Sequence, residues 1–384
     1  MKGSVRKKGS TWSYRIDLGK VDGKRKQIER SGFRTEKEAE SVLAEVIYNY
    51  NKTGLITENK KVTLAEVYNE FIEKEAPNTR KFATILRYKS LYNNHIKDFA
   101  FKYLFQITDN DIQEFLNLKC ENLSNEYVRS IYNFLLVLFN YGVNKKYLKV
   151  SPMSNVKPPK SYRAYGEIEI YSQNELKKME KRFESTNLLP SFFLGINLGV
   201  RVGECFALRF SDIDWEKETI KIDKQLQYQE KVWSFILPKS VNGVRTIKLN
   251  IKLINYLKDL KVKYDNDKIE YGLGYKINTV IERRKKKAEL IAVDDFINIK
   301  PNGQMLTTDS QKILSRICKK DLNIEFKFHN LRHTHATMLA ENGVNPKYVQ
   351  QRLGHGKLDI TLQYYTHITD AMHEQVANIV DFFY

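Results

Sequence analysis

The sequence predicts a multidomain chain that is mainly α with small β-sheets, and three observations lead there. At 384 residues it exceeds one average domain. Apolar/polar alternation, the mark of half-buried strands, is confined to residues 4–31 and 219–249, while apolar stripes of helical period fill most of the rest. Polar residues 52–62 around Gly54, and the stiff stretch from Ser151-Pro152 to Pro158-Pro159, separate three blocks. The expected domains are 1–55, 62–158 and 165–384. A hydrophobic fraction of 42% is ample for packed cores.

The elements follow in order. Trp12, Tyr14, Ile16 and Leu18 alternate with polar residues as a strand does, Val21, Asp22 and Gly23 supply a turn, and residues 24–31 return as a second strand. A shorter strand over 4–8 completes a three-stranded sheet. Thr35 opens a helix to about 51, with Ala39, Val42, Leu43, Val46 and Ile47 on one face. Thr63 and Glu66 form a capping box, and helices are expected over 63–74, 79–98, 109–118 and 124–143. The last carries Tyr127, Ile131, Leu135, Leu138 and Phe139 as one stripe, read as core and not as a base-stacking platform. Ser172 and Glu175 cap a further helix, and 188–198 is apolar enough to be a buried one. Strands are expected over 219–227, 232–238 and 244–249, the last two joined as a hairpin across Asn242 and Gly243. The remainder is expected to be mainly helical, punctuated by Gly343 and by Asn345-Pro346 as cap and first-turn proline.

Lys and Arg number 64 against 46 acids, a formal net charge of +18, which attracts polyanions because each phosphate neutralised releases condensed counterions. Residues 1–34 concentrate that charge, with eleven Lys or Arg against three acids. Strands can enter a major groove as a ribbon, so Arg6, Lys8, Arg15, Lys24 and Lys26 are the expected DNA contacts, against the plainer alternative of a solvated basic face. No run reaches the ~18 apolar residues of a membrane span, and the basic, polar start lacks a secretory apolar stretch. Cys120, Cys205 and Cys318 stand far apart with no CxxC pair, which fits neither a disulfide framework nor a zinc site and suggests a reducing cytoplasm. With no GxxxxGK[ST] loop and no GxGxxG, nucleotide-driven chemistry is disfavoured and no cofactor is expected. Asp212, Asp214, Glu216 and Glu218, or Asp294 and Asp295, could suggest a two-metal nuclease. The first four, however, read as a solvated turn approaching a strand. His333 and His335 lack a Cys or acidic cluster to complete a metal site, so none is expected; His95 and His373 take no role. Arg245 is expected to pair with an acid or with DNA. The basic run 283–287 is expected to be a solvated face, or else to track a DNA backbone.

Side chains suited to phosphate chemistry recur in the last block. Gly199, Arg201, Gly203 and Glu204 are expected on a helix leaving the buried run. Pro238-Lys239 precedes the hairpin turn, and Arg245 follows it. Then come His329, Arg332, His333 and His335, followed by Leu353-Gly354-His355 and finally Tyr364-Tyr365-Thr366-His367. Cutting and remaking a phosphodiester asks a protein mainly for positioning and charge compensation. Guanidinium groups, always charged and bidentate, suit the non-bridging oxygens, which singles out Arg201 and Arg332. His329 and Arg332, three apart where a helix begins, face one site. In content and order these boxes resemble the tyrosine recombinase catalytic domain, across nearly its whole length. The resemblance implies a mixed α+β catalytic domain with Tyr365 as nucleophile, Arg201 and Arg332 as the phosphate clamp, and Lys239 as general acid for the leaving 5′ oxygen. It also implies that His355 bonds the scissile phosphate and His329 assists proton transfer, with Glu204 orienting the site. His333 is expected to brace Arg332, and Tyr364 to be packing. A 3′-phosphotyrosine ester would conserve the energy of the broken bond, so strands could rejoin without ATP.

The same resemblance implies an arm-site DNA-binding domain, a helical core-binding (SAM-like) domain and the catalytic domain. The assembly implied is a homotetramer on double-stranded core and arm attachment sites, with excisionase and DNA-bending proteins as further partners and a place on the nucleoid. The apolar stripe Met372, Val376, Ile379, Val380 and Phe383 is expected to dock on a neighbouring subunit. The alternatives are a catalytically silent DNA-binding regulator of the same fold and a type IB topoisomerase. The filled catalytic positions argue against the first, and the arm-like first domain against the second.

Overall fold

The computed structural model describes residues 3–21, 24–53, 60–160, 169–238, 240–285 and 287–365. The chain divides into two compact units, Met1–Ala164 and Tyr165–Tyr384.

The first unit begins with an antiparallel sheet of β1 (Gly3–Lys8), β2 (Thr11–Val21) and β3 (Lys24–Phe33), in that order, beside α1 (Glu36–Thr53). Alternation works as the sequence predicts. Tyr14 and Ile16 are buried with Leu43 of α1, so their neighbours along the strands stand on the opposite face. The turn expected at Asp22 and Gly23 lies outside the described residues.

The helical block holds α2 (Leu64–Glu70), α3 (Ala76–Thr79), α4 (Phe82–Leu91), α5 (Asp109–Cys120) and α6 (Asn125–Asn144). The first helix does not stop near 74. A π-helical turn over Phe71–Glu75, closed by the Ala76 amide on the Phe71 carbonyl, joins α2 to α3. A wider turn accommodates Pro77, which has no amide to give. A second π-helical turn, Tyr92–Ile96, extends α4. Leu64, Phe71, Ile112, Ile131, Phe134 and Leu138 lie at the centre of one core. Tyr127 does not share it. Sitting in the first turn of α6, it is 37% exposed and hydrogen-bonds His95 at 3.2 Å, while Val128 is buried in its place.

The second unit runs α7 (Gln173–Phe183), α8 (Leu189–Leu198), α9 (Val202–Cys205), β4 (Ile213–Asp214), β5 (Thr219–Ile222), β6 (Gln225–Gln229), β7 (Val232–Ile236), β8 (Arg245–Lys248) and α10 (Ile251–Tyr271). It continues with β9 (Asn278–Glu282), β10 (Glu289–Val293), α11 (Ser310–Ile317), α12 (Phe328–Glu341), α13 (Pro346–Leu353) and α14 (Asp359–Leu362). Two sheets form, β10-β9-β7-β6 and β4-β5-β8, and the buried α8 packs on α12.

The hairpin is not at Asn242-Gly243. β7 pairs with β6 across Glu230 and Lys231, both with positive φ (50° and 67°), and β8 belongs to the other sheet. Paired positive φ is what a two-residue hairpin turn demands, but Glu-Lys gives no sequence cue for it. Gly243 answers instead to close packing, since a Cβ there would lie 2.4 Å from Pro238 Cβ. The strand expected over 219–227 is two, β5 and β6, one in each sheet. The region after 250 is mainly helical, as expected, and also holds the antiparallel β9–β10 pair. The basic run 283–287 is the connection between these strands. Its Arg284 is tied to Glu282 at 2.6 Å and to Asp223 at 2.8 Å, so it is not merely solvated; Lys286 lies outside the described residues. Asp212 is not in a solvated turn either: its side chain is 12% exposed and paired with the buried Lys224.

Candidate active site

The expected helix through Gly199 and Arg201 is in fact two. Gly199 takes the left-handed conformation (φ 61°) and ends α8, and Arg201 stands as the N-cap of the short α9. That turn lifts the Arg201 side chain out of the buried run while its amide and Nη1 both donate to Glu204, at 3.0 and 2.8 Å. Glu204 is 1% exposed and also accepts from Arg245 Nη2 at 2.9 Å. Burial pushes its carboxyl up, but the Arg245 and Arg201 charges outweigh that and hold it below the ordinary range.

Three arginines from three elements then meet the end of α13. Arg245 Nε donates to the Arg352 carbonyl at 2.6 Å, Arg332 Nη2 to Leu353 at 2.7 Å, and Arg201 Nη2 to Gly354 at 3.3 Å. The last carbonyls of a helix lack intrahelical partners and carry its partial negative charge, so they orient cations without neutralising them. Arg332 is fully buried, and its Nη1 donates to the Gly199 carbonyl at 2.7 Å, so the αL stop of α8 also fixes the second guanidinium. Gly354 has no room for a side chain: a Cβ would lie 2.7 Å from the Asn242 carbonyl. The turn after Pro238 packs here, with Asn242 Nδ2 donating to the His355 carbonyl at 3.3 Å. Lys239, the expected general acid in that turn, lies outside the described residues.

His355 is 5% exposed and its Nδ1 is 2.8 Å from Thr361 Oγ1. Burial, followed by the charges of Arg332, Arg201 and Arg245, pushes its imidazole down to about 3, so it is neutral at physiological pH. His329 is exposed in the first turn of α12, its ring centroid 4.4 Å from that of His333. His333 does not brace Arg332 by a hydrogen bond; its Nδ1 is 2.7 Å from the Tyr364 hydroxyl. Tyr364 is therefore more than packing. It is 4% exposed, stacks on His355, and has its phenol pushed up by burial against the opposing pull of Arg332 and Arg201. Tyr365 points its hydroxyl elsewhere, donating to the Val344 carbonyl, and burial raises its phenol as well. The structure thus gathers Arg201, Glu204, Arg332, His333, His355 and Tyr364, with Tyr365 one residue away. Thr361 and the full part played by Arg245 were missed in the sequence. Each depends on a partner far along the chain and has no local signature.

On the N-terminal sheet, Arg6, Lys8 and Arg15 occupy the face opposite α1 and converge on Glu29. Lys24 and Lys26 stand on β3, and their side chains lie outside the described residues. No helix among the described residues is long and apolar enough to cross a membrane.

The family description "Phage integrase family" matches residues 176–372, "Arm DNA-binding domain" residues 4–50, and "Phage integrase, N-terminal SAM-like domain" residues 63–119. The chain is 30% identical to a tyrosine recombinase XerC-like protein of Caldanaerobacter subterraneus, over 87% of this chain and 86% of that one. It is 27% identical to the ICEBs1 integrase of Bacillus subtilis, over 76% of each. Among solved structures, the Tn1549 transposon integrase in complex with transposon right-end DNA superposes with a TM-score of 0.66 at 20% identity, covering 83% of this chain and all of that one. The lambda integrase tetramer bound to a Holliday junction gives 0.56 at 18% identity, covering 95% and 96%.

Proposed function

We propose a reaction for a chain that belongs to the phage integrase family and is a tyrosine recombinase of the conjugative-transposon or phage type: it cuts and rejoins double-stranded DNA through a 3′-phosphotyrosine. Arg201 and Arg332 clamp the non-bridging oxygens of the scissile phosphate, and neutral His355 adds a hydrogen bond to it. Lys239 protonates the leaving 5′ oxygen, and His329 assists proton transfer. Glu204 holds Arg201 in place. No metal or nucleotide enters the scheme, because the ester to tyrosine carries the bond energy forward. The observation that supports this most strongly is the delivery of both guanidiniums to successive carbonyls, Leu353 and Gly354, immediately before His355.

Tyr365 is the nucleophile in this scheme, and it must leave the Val344 carbonyl to act. The Tyr-Thr-His order supports it, as does its greater exposure. One observation favours a second assignment: the Tyr364 hydroxyl already lies against His333, under the charges of Arg332 and Arg201. We further propose domains 1–55, 62–158 and 165–384 acting as arm-binding, core-binding and catalytic modules. The acting species is a homotetramer on core and arm sites, aided by an excisionase and DNA-bending proteins.

The test uses nicked suicide DNA carrying the joined ends of the host element, incubated with wild type, Tyr364→Phe and Tyr365→Phe. A covalent adduct is expected from the first two and none from the third. An adduct lost only in Tyr364→Phe would transfer the nucleophile to Tyr364. No adduct from any of the three would remove the enzymatic assignment.

A further inference from the structure

The open face of the N-terminal sheet carries a carboxylate where a surface built only to hold phosphates would have none. Glu29 on β3 stands directly across from Arg15 on β2, and Arg6 reaches it from β1. Arg6 Nη2 lies 2.7 Å from both carboxylate oxygens, Arg15 Nη2 2.9 Å from Oε2, and Lys8 Nζ a longer 3.3 Å from Oε1. The two arginines, chiefly Arg6, hold the Glu29 carboxyl down to about 2, so it is ionised at working pH. Such a charge repels a duplex and cancels one cation, which weakens sequence-blind binding. It needs another use.

Base edges supply one. In the major groove a guanidinium pairs bidentately with guanine O6 and N7, and a carboxylate accepts from the cytosine N4 amino group. Arg6 and Arg15 each bond Glu29 through Nη2, which has a second N–H, and their side chains are 49% and 41% exposed, so a fork edge of either can be offered to a base. The weakly held Lys8 can move to a phosphate and vacate a lone-pair position on Oε1. The three groups sit on three adjacent strands, spanning roughly 10 Å at the usual strand spacing. A major groove about 12 Å wide admits that span.

We propose that Arg6, Arg15 and Glu29 form a base-reading triad that selects a G·C pair in the arm DNA, with the Arg6 guanidinium on guanine O6 and N7, Glu29 on the cytosine amino group, and Arg15 holding the carboxylate in place. This rests on the assignment of the sheet as a DNA-binding surface and adds the base it reads. The carboxylate fixes the forks before DNA arrives and penalises any base that offers an acceptor in place of the amino group.

The full-length protein, as wild type, Glu29→Gln, Arg6→Lys and Lys8→Gln, is used to select duplexes from a randomised library. Wild type is expected to enrich two motifs, one for the core-binding and catalytic units and one for the sheet. The sheet motif should contain a G·C position whose discrimination falls about tenfold in Glu29→Gln and in Arg6→Lys. Lys8→Gln should weaken all duplexes alike with base preferences intact; in every variant the core motif and the other positions of the sheet motif should persist, which certifies that the sheet is folded. If Glu29→Gln tightens binding to every duplex with unaltered base preferences, the carboxylate is only a counter-charge and the triad is refuted. If wild type enriches the core motif alone, the sheet does not read DNA, and the parent assignment fails with the triad.

Discussion

Replacing Glu204 by Gln is the sharpest probe of how the arginine cluster is held. The carboxylate is 1% exposed and takes three donors: Arg201 N and Nη1 at 3.0 and 2.8 Å, and Arg245 Nη2 at 2.9 Å. Glutamine keeps the shape but supplies one acceptor oxygen in place of two and no charge, so at least one guanidinium N–H faces an amide N–H. Breaking a buried pair by removing one partner costs about 3–5 kcal/mol. Arg201, at 24% exposure, can recover water, whereas Arg245 at 6% cannot, so the lower end, about 3 kcal/mol, is the proper value. For a unit of this size that lowers the melting temperature by roughly 6–12 °C. Covalent-adduct formation should fall about 100-fold, the usual consequence of losing one oriented charge donor at a reacting group. Thermal unfolding followed by circular dichroism and adduct formation on suicide DNA measure the two effects. A variant that melts within about 2 °C of wild type and cuts at the wild-type rate would show that Glu204 does not hold Arg201.

Two further outcomes follow from buried charge. His355 and His335 are both pushed down to about 3, chiefly by burial, with neighbouring arginine charges adding to it. In the unfolded chain each returns to about 6.5, so the unfolded state binds protons first. The stability from keeping both neutral is complete above about pH 6.5 and is lost as pH falls toward 3. Melting temperature should therefore decline below about pH 6.5, and His355→Gln should make that decline shallower; an equally steep decline in the variant would exclude His355 as a source. Lys224, 4% exposed between Asp212 and Asp223, should cost about 3 kcal/mol when changed to Met, because Asp212 loses its cation while Asp223 keeps Arg284. Adding Asp212→Asn to Lys224→Met should recover part of that loss in thermal melts; strict additivity of the two changes would deny the coupling.

Features written in short stretches of chain were legible, and features made by distant pairing were not. The boxes at Thr63–Glu66 and Ser172–Glu175 form as read, since the cap and its partner lie within four residues. The stripe of α6 was legible except at Tyr127, because periodicity specifies a face but not where that face leaves the core. Residues 219–249 misled because alternation announces a strand without naming its neighbour. β7 found β6 and β9, and β8 found β5, through contacts no local pattern encodes. At the site, the residue types suited to phosphate were visible in sequence. The partition between Tyr364 and Tyr365 was not, because it depends on whether a hydroxyl meets His333 or Val344.

The way the guanidiniums are anchored bears on why the site would bind a phosphodiester at all. Had each arginine a carboxylate, the cluster would be rigid but electrically spent. Here Arg201 and Arg245 share the single carboxylate of Glu204, and the other bonds of the three arginines go to carbonyls at Gly199, Gly243, Arg352, Leu353 and Gly354. Carbonyl dipoles fix direction and leave the charge in place. Burial, then the adjacent Arg201 charge, pushes the Arg332 guanidinium down to about 9, which leaves it charged at neutral pH but poorly compensated. On the proposed assignment, an anion held by Arg201 and Arg332 would relieve that deficit. The cost of crowding like charges is thus met during folding by the packing around α13, which on that assignment would place the guanidiniums before a phosphate binds.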